Sequence, residues 1–216
     1  MVFGIHRNEN GLYIEGYPTA EKVVHVEFEQ ALELADLRAH QSDLKFAQEA
    51  VAFLIDRDRD TTNDVLARSA FIAAMVKYVG CFKASVRRPL VANDIYGQSE
   101  GALRVFEYFD NLRNKHVLHD VNNYTTSQTG LVVRPTSTEA RVIDAFSIVS
   151  NFAIDEDHTR QLRQLIDFAL AYVDGAAENK AQEVVGIGRL MSDGEIDALP
   201  NLQLKTGTAE DIKRRR

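Results

Sequence analysis

The sequence predicts a mainly α fold: an up-and-down helical bundle that carries a small antiparallel β-hairpin. Three observations predict it. Apolar residues recur at helical spacing in successive stretches from Glu21 to Ala177. Between Leu131 and Phe152 they give way to β-branched and aromatic residues bounded by loop signals. No internal repeat and no break in composition marks a second domain. The expected organisation is an N-terminal extension over 1–20, a helical domain over 21–180 with its hairpin near 130–152, and a C-terminal extension over 181–216 ending in a disordered tail.

Taken in order, Leu12-Tyr13-Ile14 reads as a short strand between Gly11 and Gly16. Helical patterning then begins near Glu21, with Phe28, Ala31, Leu32 and Ala35 on one face. Gln41-Ser42-Asp43 looks like a break with Ser42 as an N-cap. Leu44, Ala47, Val51, Leu54 and Ile55 resume the spacing, as a second helix or as the continuation of one kinked helix. Alternate aspartates at Asp56, Asp58 and Asp60 suggest a calcium loop. Thr61 in place of glycine and Ala67 in place of glutamate break that pattern, so a solvated connection is expected. From Thr62 to Phe82 apolar residues lie nearly all round the helix, which predicts the most buried one. Cys81, near its end, reads as a small buried hydrophobe.

Pro89 marks a break or a helix start, and Asn93-Asp94 and Gly97-Gln98-Ser99 are turn and capping signals ahead of the next helix. Thr125 to Gly130 reads as a loop, Leu131-Val132-Val133 as a strand, and Ala140 to Phe152 as its partner. Leu162, Leu165, Ile166, Ala169 and Val173 give a final amphipathic helix from Glu156 to about Ala177, weakened at Gly175.

Composition bounds the function. Hydrophobic residues at 45% and charged residues at 26% are ordinary for a soluble chain. No run approaches the roughly 18 apolar residues a membrane span needs, and the N-terminus lacks a basic segment followed by an apolar one. With a single cysteine, this favours the cytoplasm and no membrane partner. A net charge of −7, with no basic face beyond Lys213-Arg214-Arg215-Arg216, disfavours broad coating of nucleic acid while leaving room for a local RNA site.

The stretch from Ala102 to Tyr124 carries the chemistry. Ala102, Val105, Phe106, Phe109 and Leu112 form an apolar stripe, and Arg113, His116 and Asp120 continue it in direction but not in character. Polar groups in such positions are buried with partners or exposed at a cleft or interface. His116 and Asp120, at i and i+4, form a supporting pair. Arg87 and Arg88 suit phosphate, because guanidinium matches its oxygens, or are plain surface residues. His6, His25, His40 and His158 are isolated and read as surface residues. A zinc site from His116 and His119 is disfavoured by their i, i+3 spacing and the lack of further ligands.

Arg113, then the polar Asn114, then His119 after five intervening residues resembles the hallmark of the HEPN superfamily. The order of amphipathic helices, motif helix, hairpin and final helix is similar to HEPN-like proteins of abortive-infection and toxin type. The resemblance covers roughly Glu21 to Ala177. It implies a helical homodimer that brings two motifs into one cleft, and a metal-independent endoribonuclease that needs no cofactor, with a possible antitoxin partner. His119 would be general acid or base, Arg113 the phosphate clamp, and Asn114 an orienting group. Arg87, Arg88, Lys115 and Tyr124 would be substrate contacts, and His116 competes with His119 for the working role. On a straight helix six residues turn by about 600°, so Arg113 and His119 diverge by about 120°. They converge only through a helix distortion, long side chains or a partner protomer. The same family also includes inactive members, so a non-catalytic interaction or dimerisation protein, its polar stripe specifying packing, is the alternative.

Overall fold

A computed structural model describes residues 5–8, 11–14, 16–17, 20, 22–56, 65–114, 126–135, 141–150 and 155–203. The fold is mainly helical, as the apolar spacing predicts. Its elements are strands β1 (Ile5–Asn8) and β2 (Gly11–Ile14), helices α1 (Glu29–Ile55), α2 (Val65–Gly80), α3 (Ala92–Tyr96) and α4 (Glu100–Leu112), strands β3 (Thr126–Val133) and β4 (Val142–Ser150), and helices α5 (Glu156–Leu190) and α6 (Asp193–Ala198). Each strand pair is an antiparallel hairpin, β1 with β2 and β3 with β4. Among the described residues no helix is long and apolar enough to cross a membrane.

The chain divides into two compact units. The first comprises Met1–Ala39, Ser85–Arg88 and Asp174–Arg216. Ion pairs link several of its segments. The Arg88 guanidinium pairs with Glu33 and lies 3.6 Å from Glu29, while its backbone N–H donates to Asp36 at 2.9 Å. Lys180 bridges Glu33 at 2.8 Å and Glu183 at 2.7 Å. The hydrogen bond from Lys180 holds the Glu33 carboxyl below the usual range. Val24 and Asn201 form an antiparallel bridge, flanked by bonds from His25 N–H to the Pro200 carbonyl (2.7 Å) and from Leu202 N–H to the Val23 carbonyl (2.8 Å). Asn201, expected to open the tail, is thus fastened here; residues 204–216 lie outside the described residues.

The second unit comprises His40–Ala84 and Pro89–Val173. Its core is Leu44, Ala47 and Val51 from α1, Phe71, Ala74, Met75, Tyr78 and Val79 from α2, Phe109 and Leu112 from α4, and Leu162, Leu165, Ile166, Ala169 and Val173 from α5. Tyr78, Phe82, Tyr96 and Phe106 form an aromatic cluster, with ring centroids 4.7 Å apart for Phe82 and Phe106. Two buried hydroxyls in it are satisfied in series: Tyr78 donates to Tyr96 at 2.8 Å and Tyr96 to the Leu165 carbonyl at 2.9 Å. Burial pushes both phenols far above the ordinary tyrosine range. Cys81 is buried, with its thiol donating to the Lys77 carbonyl at 3.4 Å, as a small hydrophobe should be.

Four local expectations change. No break occurs at Gln41-Ser42-Asp43: α1 is one helix. His40, Leu44, Ala47 and Val51 form one uninterrupted buried stripe, and Asp43 is held by Lys77 at 2.7 Å. A cap signal worth about 1 kcal/mol loses to continuous burial. Residues 22–28 are not helical, so α1 starts at Glu29 rather than near Glu21. Residues 126–130, expected as loop, belong to β3, where Thr129 and Ser147 face each other with hydroxyls 2.7 Å apart. Finally, α5 runs on to Leu190, well past Ala177, before Ser192 starts α6 with a capping box to Glu195.

Candidate functional site

Helix α4 positions the motif. Ser99 caps it, its hydroxyl accepting from the Ala102 N–H at 3.2 Å. Phe109 and Leu112, both buried, fix which face of α4 meets the core. Regular α winding ends at Leu112, and residues 113–114 take the wider π winding. Arg113 itself keeps α-helical angles and its N–H is shared between the carbonyls of Phe109 and Asp110, so the wider winding starts after it donates. Such turns let a helix re-aim side chains and are frequent at functional sites.

The side chains there form a chain of polar contacts. The Arg113 Nη1 donates to the Asn114 Oδ1 at 2.9 Å. The Asn114 Nδ2 in turn donates to Asp110 Oδ1 at 3.3 Å, and the Lys83 ammonium sits 2.5 Å from that same oxygen. Arg113 Nε is buried and has no hydrogen-bond partner among the described residues. Among the described residues the guanidinium is paired with a neutral amide, so no carboxylate there opposes its charge.

A second polar group joins the N-terminus of α5 to α4. Asp155 Oδ1 accepts from the His158 backbone N–H at 2.7 Å, and Oδ2 lies 2.5 Å from the His158 Nδ1. The imidazole stacks on Tyr108 (centroids 4.8 Å apart, planes at 22°) and meets Phe109 edge-on. Burial pushes the Asp155 carboxyl up, but the backbone and ring hydrogen bonds of His158 outweigh it, and the group titrates below the usual range. Among the described residues no three His, Cys, Asp or Glu side chains gather as metal ligands.

No protein-family model, curated protein or solved structure matches the chain.

Of the residues singled out in the sequence, the structure brings Arg113 and Asn114 together. Lys115, His116, His119, Asp120 and Tyr124 lie outside the described residues. Arg87 and Arg88 belong to the first unit, whereas Arg113 and Asn114 belong to the second. Arg88 pairs with Glu33 and lies 3.6 Å from Glu29, both on α1. Of the histidines read as surface residues, His40 is buried in α1 and His158 is half-buried against Tyr108. Asp110 and Lys83 were not singled out. Asp110 carries a legible signal, standing four residues before Asn114 on the same helix. Lys83 carries none, because only tertiary packing brings it to α4.

Proposed function

We propose that this chain is a HEPN-like, metal-independent endoribonuclease of toxin or phage-defence type that works as a cytoplasmic homodimer. The observation that carries the reading is the state of Arg113. It stands where α4 departs from regular winding, is oriented by Asn114, and keeps Nε unpaired among the described residues. The helix distortion falls where a convergence of Arg113 with His119 would need one.

In this reading the 2′-OH of RNA attacks the adjacent phosphorus. His119 takes the hydroxyl proton, the P–O5′ bond breaks, and an imidazolium supplies a proton to the leaving 5′ oxygen. The products are a 2′,3′-cyclic phosphate and a 5′-OH. Imidazole, with an ordinary pKa near 6.5, serves both transfers near neutrality. The Arg113 guanidinium meets the charge that builds on the phosphorane.

The deciding assay is cleavage of a mixed RNA substrate in EDTA by the parent, Arg113→Ala and His119→Ala at equal folded concentration. The expected result is cutting by the parent, cyclic-phosphate ends, and a loss of about 10²–10⁴-fold in each variant. Equal activity in all three would place the chemistry elsewhere and refute the assignment. One observation favours a second reading, a non-catalytic interaction protein: the contacts from Lys83 through Asp110 and Asn114 to Arg113 close within one protomer, as a packing network would. A parent inert toward RNA, with Arg113→Ala changing only stability or oligomeric state, would select that reading.

A further inference from the structure

We infer that Lys83 keeps Arg113 available for an RNA phosphate by occupying Asp110, the carboxylate that would otherwise capture it. The inference rests on the ribonuclease reading for its substrate and on geometry for the rest. Asp110 precedes Arg113 by three residues on α4, a spacing at which an aspartate and an arginine pair across a helix turn. Arginine favours carboxylates, to which it can donate two parallel hydrogen bonds. Yet Arg113 forms no ion pair among the described residues, and its Nη1 goes to the uncharged Asn114.

What replaces it is visible. Asp110 Oδ1 takes the Lys83 ammonium at 2.5 Å and the Asn114 amide at 3.3 Å. Lys83 is placed by packing. Phe82 packs at a tilt against Phe106, which stands one turn before Asp110 on α4, so the chain leaving α2 is laid along that side of the helix. The Lys83 N–H is also tied back to the Gly80 carbonyl at 3.3 Å. The side chains of Lys83 and Asp110 are 34% and 25% exposed, so the pair is partly shielded from solvent and from salt. Lys83 and Asp110 offset each other, and among the described residues the guanidinium beside them is left without an opposing charge. Lys83 is thus a positioning residue that acts through Asp110.

The test is a rescue. Lys83→Met keeps the apolar stem and removes the charge. It should cut RNA at least about tenfold more slowly, because Asp110 then takes Arg113. A 2′-O-methylated oligonucleotide, which cannot be cleaved, should bind it more weakly, with a salt slope shallower by about 0.7 for the one lost phosphate contact. Adding Asp110→Asn to Lys83→Met should restore both, since the competing carboxylate is gone. The Arg113 Nε–Hε NMR signal supplies a readout independent of RNA: it should shift and exchange more slowly in Lys83→Met and return in the double variant. A single variant indistinguishable from the parent, or a double variant as impaired as the single, overturns the inference. A parent that neither cuts nor binds RNA refutes the ribonuclease reading, and the NMR comparison still decides whether Lys83 holds Asp110 away from Arg113.

Discussion

Asp155 shows how one residue can carry both a local cap and a pH response. It immediately precedes α5, and its Oδ1 accepts the His158 N–H, which is N-cap geometry. Its carboxyl is held below the unfolded value by the two His158 hydrogen bonds, against the opposing effect of burial. A depressed carboxyl stabilises the fold above its unfolded pKa of about 3.9, and that stability is lost as pH falls through the folded pKa. Its side chain is 52% exposed, so solvent screening leaves this contribution small. Asp155→Asn should keep the cap and flatten the acid limb of stability, with little change at neutral pH. Asp155→Ala should also lose about 1 kcal/mol at pH 7. Urea denaturation from pH 2.5 to 7 separates the two; a parallel acid limb in parent and Asp155→Asn would sink the pH assignment. In the sequence His158 stands isolated like a surface residue, because its stacking on Tyr108 is a contact between α4 and α5. Arg113 is legible because it continues an apolar stripe with a polar group, and Asn114 because it follows Arg113 in the motif that resembles the HEPN hallmark. Lys83 is not, since its partner is 27 residues away on another helix.

At the scale of elements, local signals and tertiary packing disagree at identifiable places. The cap-like run Gln41-Ser42-Asp43 suggests a break, either between two helices or as a kink in one, but His40 and Leu44 on either side of it are both buried in one helix. Here the sum of burial exceeds the propensity of three residues. The opposite lesson holds at α5. Gly175 weakens the predicted helix end and the apolar pattern fades beyond Lys180, where Gly186 and Gly188 lie, yet the helix continues to Leu190. Ion pairing contributes, with Lys180 tied to Glu33 and Glu183, and the hydrogen bond to Glu183 raises the lysine above its ordinary range. These glycines carry a helix-propensity cost with no visible packing reason. A Cβ built at Gly175 or Gly186 would meet nothing within 4 Å. Gly175→Ala and Gly186→Ala should therefore each stabilise the protein by about 0.5–1 kcal/mol, nearly additively, in urea or thermal denaturation. Destabilisation by either would mean that the position faces something outside these contacts, such as a partner chain.

For the whole molecule the open question is whether one chain or two make a working site. The sequence conveys the class of the fold well, because burial patterns repeat along α1, α2, α4 and α5. It conveys the assembly poorly, because nothing in a single chain's spacing shows what a second copy adds. Arg113 sits at the end of regular α winding, and a straight continuation would carry His119 about 120° away from it. Two arrangements can bring the pair together. In one, the distortion beginning at residues 113–114 folds the motif back within a protomer. In the other, Arg113 of one copy works with His119 of its partner across a two-fold axis. Mixing separates them. Arg113→Ala and His119→Ala, each inactive alone, are combined under conditions where subunits exchange. If sites are shared between copies, half of the dimers are mixed, and each mixed dimer has one site with both groups intact. About a quarter of the parental sites should then return. If each site lies within one protomer, a mixed dimer holds two half-equipped sites and no activity returns. The homodimer reading expects the first outcome. Persistent inactivity after exchange, verified by mass-labelled subunits, would assign the convergence to the α4 distortion instead and leave dimerisation with no part in the chemistry.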